Sequence, residues 1–318
     1  MKIYLTGNEV LNHAKKALLL SYKAVLGKGA ESRLRVDTYN DIKTLGDVTV
    51  SEAWSLYFKN SGLPIVLYTE ELKEPLSFSN KPICSAVGDE IDGTHNLKYG
   101  LGMLPYGGIL GIADKVDPKF KDFIASGFLE YNSGNLFYAI RGEGAYVIEG
   151  WAKGRSKSKQ LRTSSNKKLD DPELNVIADV YMLGDLAKIF MPYVAKRGGD
   201  FRCTSLHLVM VASGSCDAFI LGDNCPNPQK IRTGEEIGLG YLLVEEAGGA
   251  MLNWNGDDIG NERIALHEKK TFHIVAATTK DLGIEVVSEM KKIPEIVEYM
   301  KKKKEAEARG LLSLMGRK

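Results

Sequence analysis

The sequence lacks several features that mark secreted and membrane-spanning proteins. Its four cysteines form no C-x-x-C pair and have no His at zinc-site spacing, so we expect reduced thiols rather than disulfides or a zinc site. The first 20 residues lack the long apolar run and small-residue cleavage site of a signal peptide. The longest uncharged segment, 99–113, contains five glycines and a proline and is too short to span a bilayer. We therefore expect a cytoplasmic protein without a membrane partner.

An excess of positive charge is also missing. Lys and Arg number 42, Asp and Glu number 41, and the formal net charge is +1. Proteins that bind nucleic-acid polymers usually carry a clustered basic excess. The charge balance therefore favours a small-molecule ligand. The basic residues of 153–171 are interpreted as part of a solvated loop.

The length and composition are those of an ordinary globular protein. The chain has 318 residues, of which 44% are hydrophobic and 26% charged. That length is enough for one large domain or two of usual size. We predict an N-terminal α+β half at 1–152 that holds the acidic residues. A C-terminal α/β half at 172–280 and a Lys-rich helical tail at 281–318 follow.

Periodicity predicts the helices and strands that carry these halves. The predicted helices cover 8–26, 50–60, 184–197, 205–213 and 235–247. The predicted strands cover 63–68, 83–87, 126–131, 136–141, 174–180, 216–221, 250–254 and 272–277. Alternation of strands and helices in the second half indicates α/β layering.

Acidic side chains follow two of these strands. Asp89, Glu90 and Asp92 come directly after the strand at 83–87, and Glu70 follows the strand at 63–68. Loops at strand ends usually display functional groups. Two carboxylates about 4 Å apart in a partly shielded site repel by roughly 4 kcal/mol. The cluster therefore needs an explanation.

Three explanations compete for these acids. They are helix N-caps, a general acid–base pair, or ligands for hard divalent cations. The metal interpretation is favoured because it alone uses Glu70, Asp89 and Asp92 together and removes their repulsion. Mg²⁺ held by few carboxylates keeps open positions that suit phosphate substrates. The Thr94 hydroxyl is placed to orient a water, and the N–H groups of Gly93 and Thr94 are placed to bind a phosphate oxygen.

These segments also carry a family resemblance. The string 89-DEIDGT-94 resembles the D-P-I-D-G-T/S signature of the inositol monophosphatase superfamily. The strings 46-GDVT-49, 69-TEE-71, 216-CDAF-219 and 233-TGEEIGLGYLLVEEAGG-249 resemble four further segments of that family, in the same order. The resemblance covers roughly residues 10 to 280. It implies a layered αβαβα sugar-phosphatase fold of the α/β class, with the active site between the two halves.

The resemblance also implies roles for particular residues. The implied ligands of two or three Mg²⁺ ions are Glu70, Asp89, Asp92, Glu236 and the Ile91 carbonyl. Thr94 is implied to position the nucleophilic water with Glu70, supported by Asp47. Gly93, Thr94, Arg202 and Ser205 are the implied substrate-binding residues. Inhibition by Li⁺ and a homodimer are also implied.

The sequence departs from the family pattern at several positions. Glu236 stands where the family has an Asp ligand, and its extra methylene moves the oxygens outward. Glu90 replaces the family Pro and is expected to point to solvent. The segment 202-RCTS-205 replaces G-S/T-A-A. Leu221 stands where inositol-specific members place an acid, which weakens the case for inositol as substrate.

Together these features predict an enzyme. The expected reaction is Mg²⁺-dependent hydrolysis of a small phosphate monoester, such as inositol monophosphate or a similar sugar phosphate, by water. Fructose-1,6-bisphosphatase and 3′-phosphoadenosine 5′-phosphate phosphatase activities are the alternatives within the class. A non-catalytic phosphosugar-binding or regulatory protein is the alternative of another class, motivated by Glu90 and Glu236.

Overall fold

The structure is a computed structural model, which describes residues 6–36, 43–72, 74–165, 168–179, 200–222, 234–264 and 272–315. Two sequence-based features, the predicted helix at 184–197 and Cys225, lie outside these residues. Cys84, Cys203 and Cys216 are free thiols, as expected. No helix in the described ranges is long and apolar enough to cross a membrane.

A large sheet of eight strands forms the centre of the N-terminal half. Its order is β2-β1-β3-β4-β5-β6-β7-β8. The strands are β1 Ile65–Thr69, β2 Leu76–Ser77, β3 Cys84–Asp92, β4 Gly107–Ala113, β5 Phe123–Glu130, β6 Asn135–Ile140, β7 Gly144–Ile148 and β8 Ser158–Gln160. Strands β1 and β3 pair in parallel, whereas the other neighbouring pairs are antiparallel. The strands predicted at 126–131 and 136–141 are confirmed as β5 and β6, which form an antiparallel hairpin.

A second sheet of four strands lies in the C-terminal half. Its order is β11-β12-β10-β9. The strands are β9 Val176–Ala178, β10 Ala218–Leu221, β11 Ala250–Asn253 and β12 Ile274–Ala277. The first pair, β9 and β10, is parallel, and β12 pairs antiparallel with both β10 and β11.

Seven helices are described, and they separate the sheets into layers. They are α1 Gly7–Lys28, α2 Leu45–Ser61, α3 Thr94–Tyr99, α4 Thr204–Ala212, α5 Glu235–Glu246, α6 Lys280–Met290 and α7 Pro294–Met315. Helices α1 and α2 cover one face of the large sheet, and α5 packs between the other face and the small sheet. Helix α6 covers the outer face of the small sheet. The predicted αβαβα layering is confirmed.

Local sequence explains why α1 and α2 begin and pack as they do. Each starts with a capping box, formed by Thr6 with Glu9 and by Thr44 with Asp47. The predicted apolar face of α1 is buried against the large sheet. The Trp54 indole of α2 donates a hydrogen bond of 3.1 Å to the Ala17 carbonyl and joins the two helices.

Three expectations about the acidic segments are wrong. Asp89, Glu90 and Asp92 do not follow a strand but form the buried end of β3. The helix predicted at 50–60 begins earlier, at Leu45, and therefore includes the segment 46–49. The Glu90 side chain does not point to solvent: it is 0% exposed. Burial raises the pKa of this carboxyl group well above the usual range, although hydrogen bonds from the Thr69 and Ser51 hydroxyls lower it.

Candidate active site

Parallel pairing of β1 and β3 places the first two acids side by side. Thr69 of β1 is in register with Gly88 of β3. The next residues, Glu70 and Asp89, are therefore neighbours across the sheet. Glu70 is exposed, whereas Asp89 is 9% exposed. The two segments thus meet at one edge, as the sequence predicts.

A β-bulge brings the third acid to the same place. Asp89 pairs with Ile109 and Asp92 pairs with Gly107, so three steps along β3 match two along β4. In a regular strand, residues three apart point to opposite faces. The extra residue removes this opposition and allows Asp89 and Asp92 to serve one site. Within the bulge, the Ile91 N–H donates to Asp89 Oδ1 at 2.9 Å.

Electrostatics show that several carboxylates surround Asp89. Burial raises the pKa of Asp89 well above its usual range, and nearby negative charges raise it further. Those charges belong, in order of effect, to Glu70, Asp92, Glu236 and Glu90. A buried site in which acids oppose each other's ionisation favours a bound cation.

Asp92 is held by the N-terminus of α4. Its carboxylate accepts hydrogen bonds from the Thr204 N–H at 3.2 Å and from the Ser205 N–H at 2.5 Å. The predicted residue Ser205 thus contacts the site through its backbone. Its hydroxyl is buried and finds no partner in the described part of the chain. These contacts join the start of α4 to the end of β3.

The predicted pair of Thr94 and Asp47 is in contact. The Thr94 hydroxyl lies 2.7 Å from the Ile91 carbonyl and 3.4 Å from Asp47 Oδ1. The other Asp47 oxygen accepts the Thr44 N–H and hydroxyl at 2.6 and 2.7 Å. Burial raises the pKa of Asp47 to about 7, against the lowering effect of the Thr44 hydrogen bonds.

Gly93 makes the turn that positions Thr94. It has a φ of 86°, in the left-handed region that glycine adopts most easily. A Cβ atom here would lie 3.0 Å from the Pro105 carbonyl oxygen. The tight turn therefore requires glycine, and α3 starts directly after it.

Glu236 reaches the site from the start of α5. It is the second residue of that helix and is 9% exposed. Its charge contributes to the raised pKa of Asp89. The longer side chain therefore still brings its charge close to the cluster.

Arg202 lies beside His95, which the sequence analysis did not select. One guanidinium nitrogen of Arg202 is 3.2 Å from Nδ1 and 3.1 Å from Nε2 of His95. The residues are 107 positions apart, so only the fold reveals the pair. A signal was nonetheless present, because His95 directly follows Thr94.

The donor set fits a hard divalent cation. The carboxylates and the Ile91 carbonyl are oxygen donors, which Mg²⁺ prefers. Within the described ranges, no three His, Cys, Asp or Glu side chains are already gathered closely enough to hold a metal. Both oxygens of Asp92 accept backbone hydrogen bonds, and Oδ1 keeps a second lone pair for a cation. The fit of this site to a divalent cation rests on the pKa of Asp89, which the neighbouring carboxylates raise.

Curated relatives share the sequence of much of this chain. No protein-family model matches it. It is 28% identical over 203 residues to a bifunctional NADP phosphatase/NAD kinase of Methanococcus maripaludis, covering 61% of this chain and 34% of that protein. It is 27% identical over 242 residues to a fructose-1,6-bisphosphatase/inositol-1-monophosphatase of Methanothermobacter thermautotrophicus, covering 74% of this chain and 78% of that protein. The chain thus spans about one third of the first relative.

Solved structures share the fold. The extragenic suppressor protein suhB of Bartonella henselae superposes with a TM-score of 0.66 at 19% identity, covering 88% of this chain and 97% of that one. Fructose-1,6-bisphosphatase of Leishmania major gives 0.68 at 16% identity, covering 87% and 92%. The similarity to these proteins supports the resemblance to the inositol monophosphatase superfamily. The string 89-DEIDGT-94, which carries that resemblance, forms the β3 bulge and the turn into α3.

Proposed function

We propose that the chain is a Mg²⁺-dependent phosphoric monoester hydrolase that acts on a small phosphorylated molecule. The observation that carries the proposal is the group of carboxylates around Asp89, contributed by the turn after β1, by β3 and by α5. The names of the two curated relatives, both of which include a phosphatase activity, support the same class.

In this proposal the acids hold the metal. Glu70, Asp89, Asp92, Glu236 and the Ile91 carbonyl are the ligands of two or three Mg²⁺ ions. Bound Mg²⁺ supplies positive charge that stabilises the phosphoryl group as negative charge develops on it. The burial of Asp89 strengthens this electrostatic effect, because a shielded site lowers the effective dielectric constant. Li⁺ inhibition remains part of the proposal.

Thr94 and Glu70 orient the attacking water in this mechanism. The Thr94 Oγ1 atom is anchored by the Ile91 carbonyl and faces Asp47 Oδ1. The Thr94 hydroxyl donates to the Ile91 carbonyl, and because the second Asp47 oxygen is fixed by Thr44, Asp47 Oδ1 is the oxygen left to face Thr94. Positioning of this kind needs no covalent intermediate.

Substrate contacts are proposed on the two segments that face the acids. Gly93 and Thr94 offer N–H groups at the turn into α3, and Ser205, whose N–H donates to Asp92, offers its hydroxyl at the start of α4. Arg202 supplies a guanidinium, which suits phosphate oxygens. Inositol monophosphate, other sugar phosphates, fructose 1,6-bisphosphate and 3′-phosphoadenosine 5′-phosphate are the candidate substrates.

A panel of phosphate monoesters tests the proposal. Wild-type protein is expected to release phosphate from at least one of these substrates with Mg²⁺ and from none after EDTA treatment. Absence of release at saturating Mg²⁺ would instead favour the non-catalytic phosphosugar-binding protein. A cytoplasmic homodimer is also proposed, and light scattering of the purified protein measures its mass.

Asp89→Asn is the variant that tests the metal-ligand assignment most directly in this assay. It removes the central negative charge without changing side-chain volume, so we expect kcat to fall by about 10²–10³-fold, the range for a lost electrostatic group. Circular dichroism is expected to show an unchanged fold. Retained turnover would contradict the ligand assignment. Glu52→Gln, on the exposed side of α2, is the matched control and is expected to keep wild-type activity.

A further inference from the structure

A polar cavity of about 430 Å³ lies where the tip of the β5–β6 hairpin meets the turn that follows β7. We call it the hairpin cavity, and it is lined by Ser133, Asn135, Glu149, Gly150, Lys153 and Arg155. Pockets that hold small molecules usually measure about 300–1,000 Å³. All six lining residues are outside the set assigned above to the metal, the water and the substrate. The hairpin cavity is therefore a candidate site for a separate ligand.

Strand register separates this cavity from the acidic residues of the candidate active site. Asp92 pairs with Gly107 of β4, and Gly107 pairs with Glu130 of β5. Glu130 in turn pairs with Asn135 of β6, which lines the cavity. Three strand spacings of 4.7–4.9 Å place Asn135 and Asp92 about 14 Å apart. A single phosphate group bound at the acids therefore does not reach the hairpin cavity.

Hydrogen bonds fix the walls of the hairpin cavity. The Gly150 N–H donates to Asn135 Oδ1 at 2.7 Å and joins the two walls. The Glu130 carboxylate accepts the N–H groups of Asn132 at 2.9 Å and Ser133 at 2.7 Å, which holds the hairpin tip. Walls that are fixed before a ligand arrives lower the entropic cost of binding.

Two glycines leave room for long basic side chains along these walls. A Cβ atom on Gly134 would lie 3.4 Å from Cγ of Lys153, and a Cβ atom on Gly150 would lie 3.1 Å from Cδ of Arg155. In each case the absent side chain allows the apolar stem of the basic residue to lie against the backbone. The Lys153 ammonium also donates to the Asn132 carbonyl at 3.1 Å. Both basic side chains are therefore held at the cavity.

The charges at the hairpin cavity are mainly positive. Neither Lys153 nor Arg155 forms an ion pair within the described part of the chain. The one acid in the lining, Glu149, accepts a hydrogen bond of 2.7 Å from the Lys159 ammonium. Because Lys159 balances the charge of Glu149, the two other basic side chains give the cavity a positive potential.

We propose that the hairpin cavity binds a compact multivalent oxyanion, with either phosphate or carboxylate groups, at a site separate from the candidate active site. The Arg155 guanidinium supplies paired N–H donors that match the oxygens of both groups, and Lys153 supplies a second positive charge. Asn135 adds a neutral donor, because its Oδ1 is used by Gly150 and its amide N–H groups remain. The lining contains no aromatic ring on which a nucleobase would stack. This inference does not depend on the proposed function.

Calorimetric titration of the purified protein with pyrophosphate and with citrate tests the proposal. The protein is first treated with EDTA and dialysed into metal-free buffer, because without a metal the acids around Asp89 repel anions. Wild type is expected to bind at least one of the two anions, with one site per chain. Arg155→Ala is expected to bind that anion at least about ten-fold more weakly, the loss of one charge-assisted contact. Lys157→Ala is the matched control, since it removes an equal charge from an exposed residue outside the lining and is expected to bind like wild type.

Each outcome of the titration decides for or against the hairpin cavity. Binding of one anion but not the other supports the site and assigns its ligand to the phosphate or the carboxylate class. Equal weakening by Arg155→Ala and Lys157→Ala would indicate a general attraction to the basic segment and would overturn the proposal. Unchanged binding by Arg155→Ala, or no detectable binding of either anion by wild type, would overturn it as well. Melting temperatures are expected to be equal for the three proteins, because both substituted side chains are exposed.

Discussion

At the scale of single residues, the site depends on where a few polar atoms are held. Thr94 shows this most clearly, since its hydroxyl lies 2.7 Å from a backbone carbonyl and 3.4 Å from a buried carboxylate. A single methyl-for-hydroxyl change at this position removes the polar atom and keeps the shape. The residue is therefore suited to a test of water positioning.

Thr94→Val is predicted to lower kcat by about 10²–10⁴-fold, the range for a lost positioning or proton-transfer group. Thr94→Ser keeps the hydroxyl and is predicted to stay within about ten-fold of wild type. The measurement is kcat with p-nitrophenyl phosphate at saturating Mg²⁺. A Val variant as active as the Ser variant would remove Thr94 from the mechanism.

At the scale of elements, the end of α5 contains a partly buried acid, Glu245, whose ionisation destabilises the fold. Glu245 is the penultimate residue of α5, and burial, followed by the nearby Asp258, raises the pKa of Glu245 to about 7 from 4.5. An acid whose pKa is higher in the folded than in the unfolded state binds its proton more tightly when the protein is folded. The fold therefore loses stability as the pH rises from about 4.5 to about 7.

Glu245→Gln is predicted to remove this loss. At pH 8 we expect the variant to be more stable than wild type by about 1–2 kcal/mol, less than the full shift implies because the side chain is partly exposed. At pH 4 the two proteins should differ little. Urea unfolding at a series of pH values measures the difference, and Glu52→Gln serves as the control. Parallel pH profiles for wild type and Glu245→Gln would contradict the assignment.

The helices and strands also show which parts of the fold can be predicted from the sequence. The face of α1, the β5–β6 hairpin and α5 follow from periodicity and are confirmed. The end of β3 was not predicted as strand, because Asp and Glu are depleted in strands and the pattern indicated a loop. Pairing with β1 and β4 overrides that preference. The bulge that turns Asp89 and Asp92 to one site depends on the register between β3 and β4, which amino-acid composition does not predict.

The candidate site could likewise be predicted only in part from the sequence. Local strings identified Glu70, Asp89 and Asp92, since they follow neighbouring strand-like runs. The burial of Glu90 was missed because its position depends on α2 packing against β1 and β3. The contact of Arg202 with His95 joins segments far apart in sequence, which periodicity cannot detect. Chain-wide packing, not local preference, decided these cases.

At the scale of the whole molecule, two halves complete one site. Strand β3 provides Asp89 and Asp92, and the turn after β1 provides Glu70. The C-terminal half provides Glu236 together with the N–H groups that bind Asp92. Neither half alone brings these groups together. The central claim is that their shared negative charge is balanced by Mg²⁺.

Calorimetric titration of the EDTA-treated protein with Mg²⁺ tests that claim most directly. Wild type and the control Glu52→Gln are predicted to bind Mg²⁺ with equal affinity. Asp89→Asn and Glu70→Gln are each predicted to bind at least ten-fold more weakly, since each removes a charged ligand. Mg²⁺ binding by Asp89→Asn as tight as by wild type, or no detectable binding by wild type, would contradict the account.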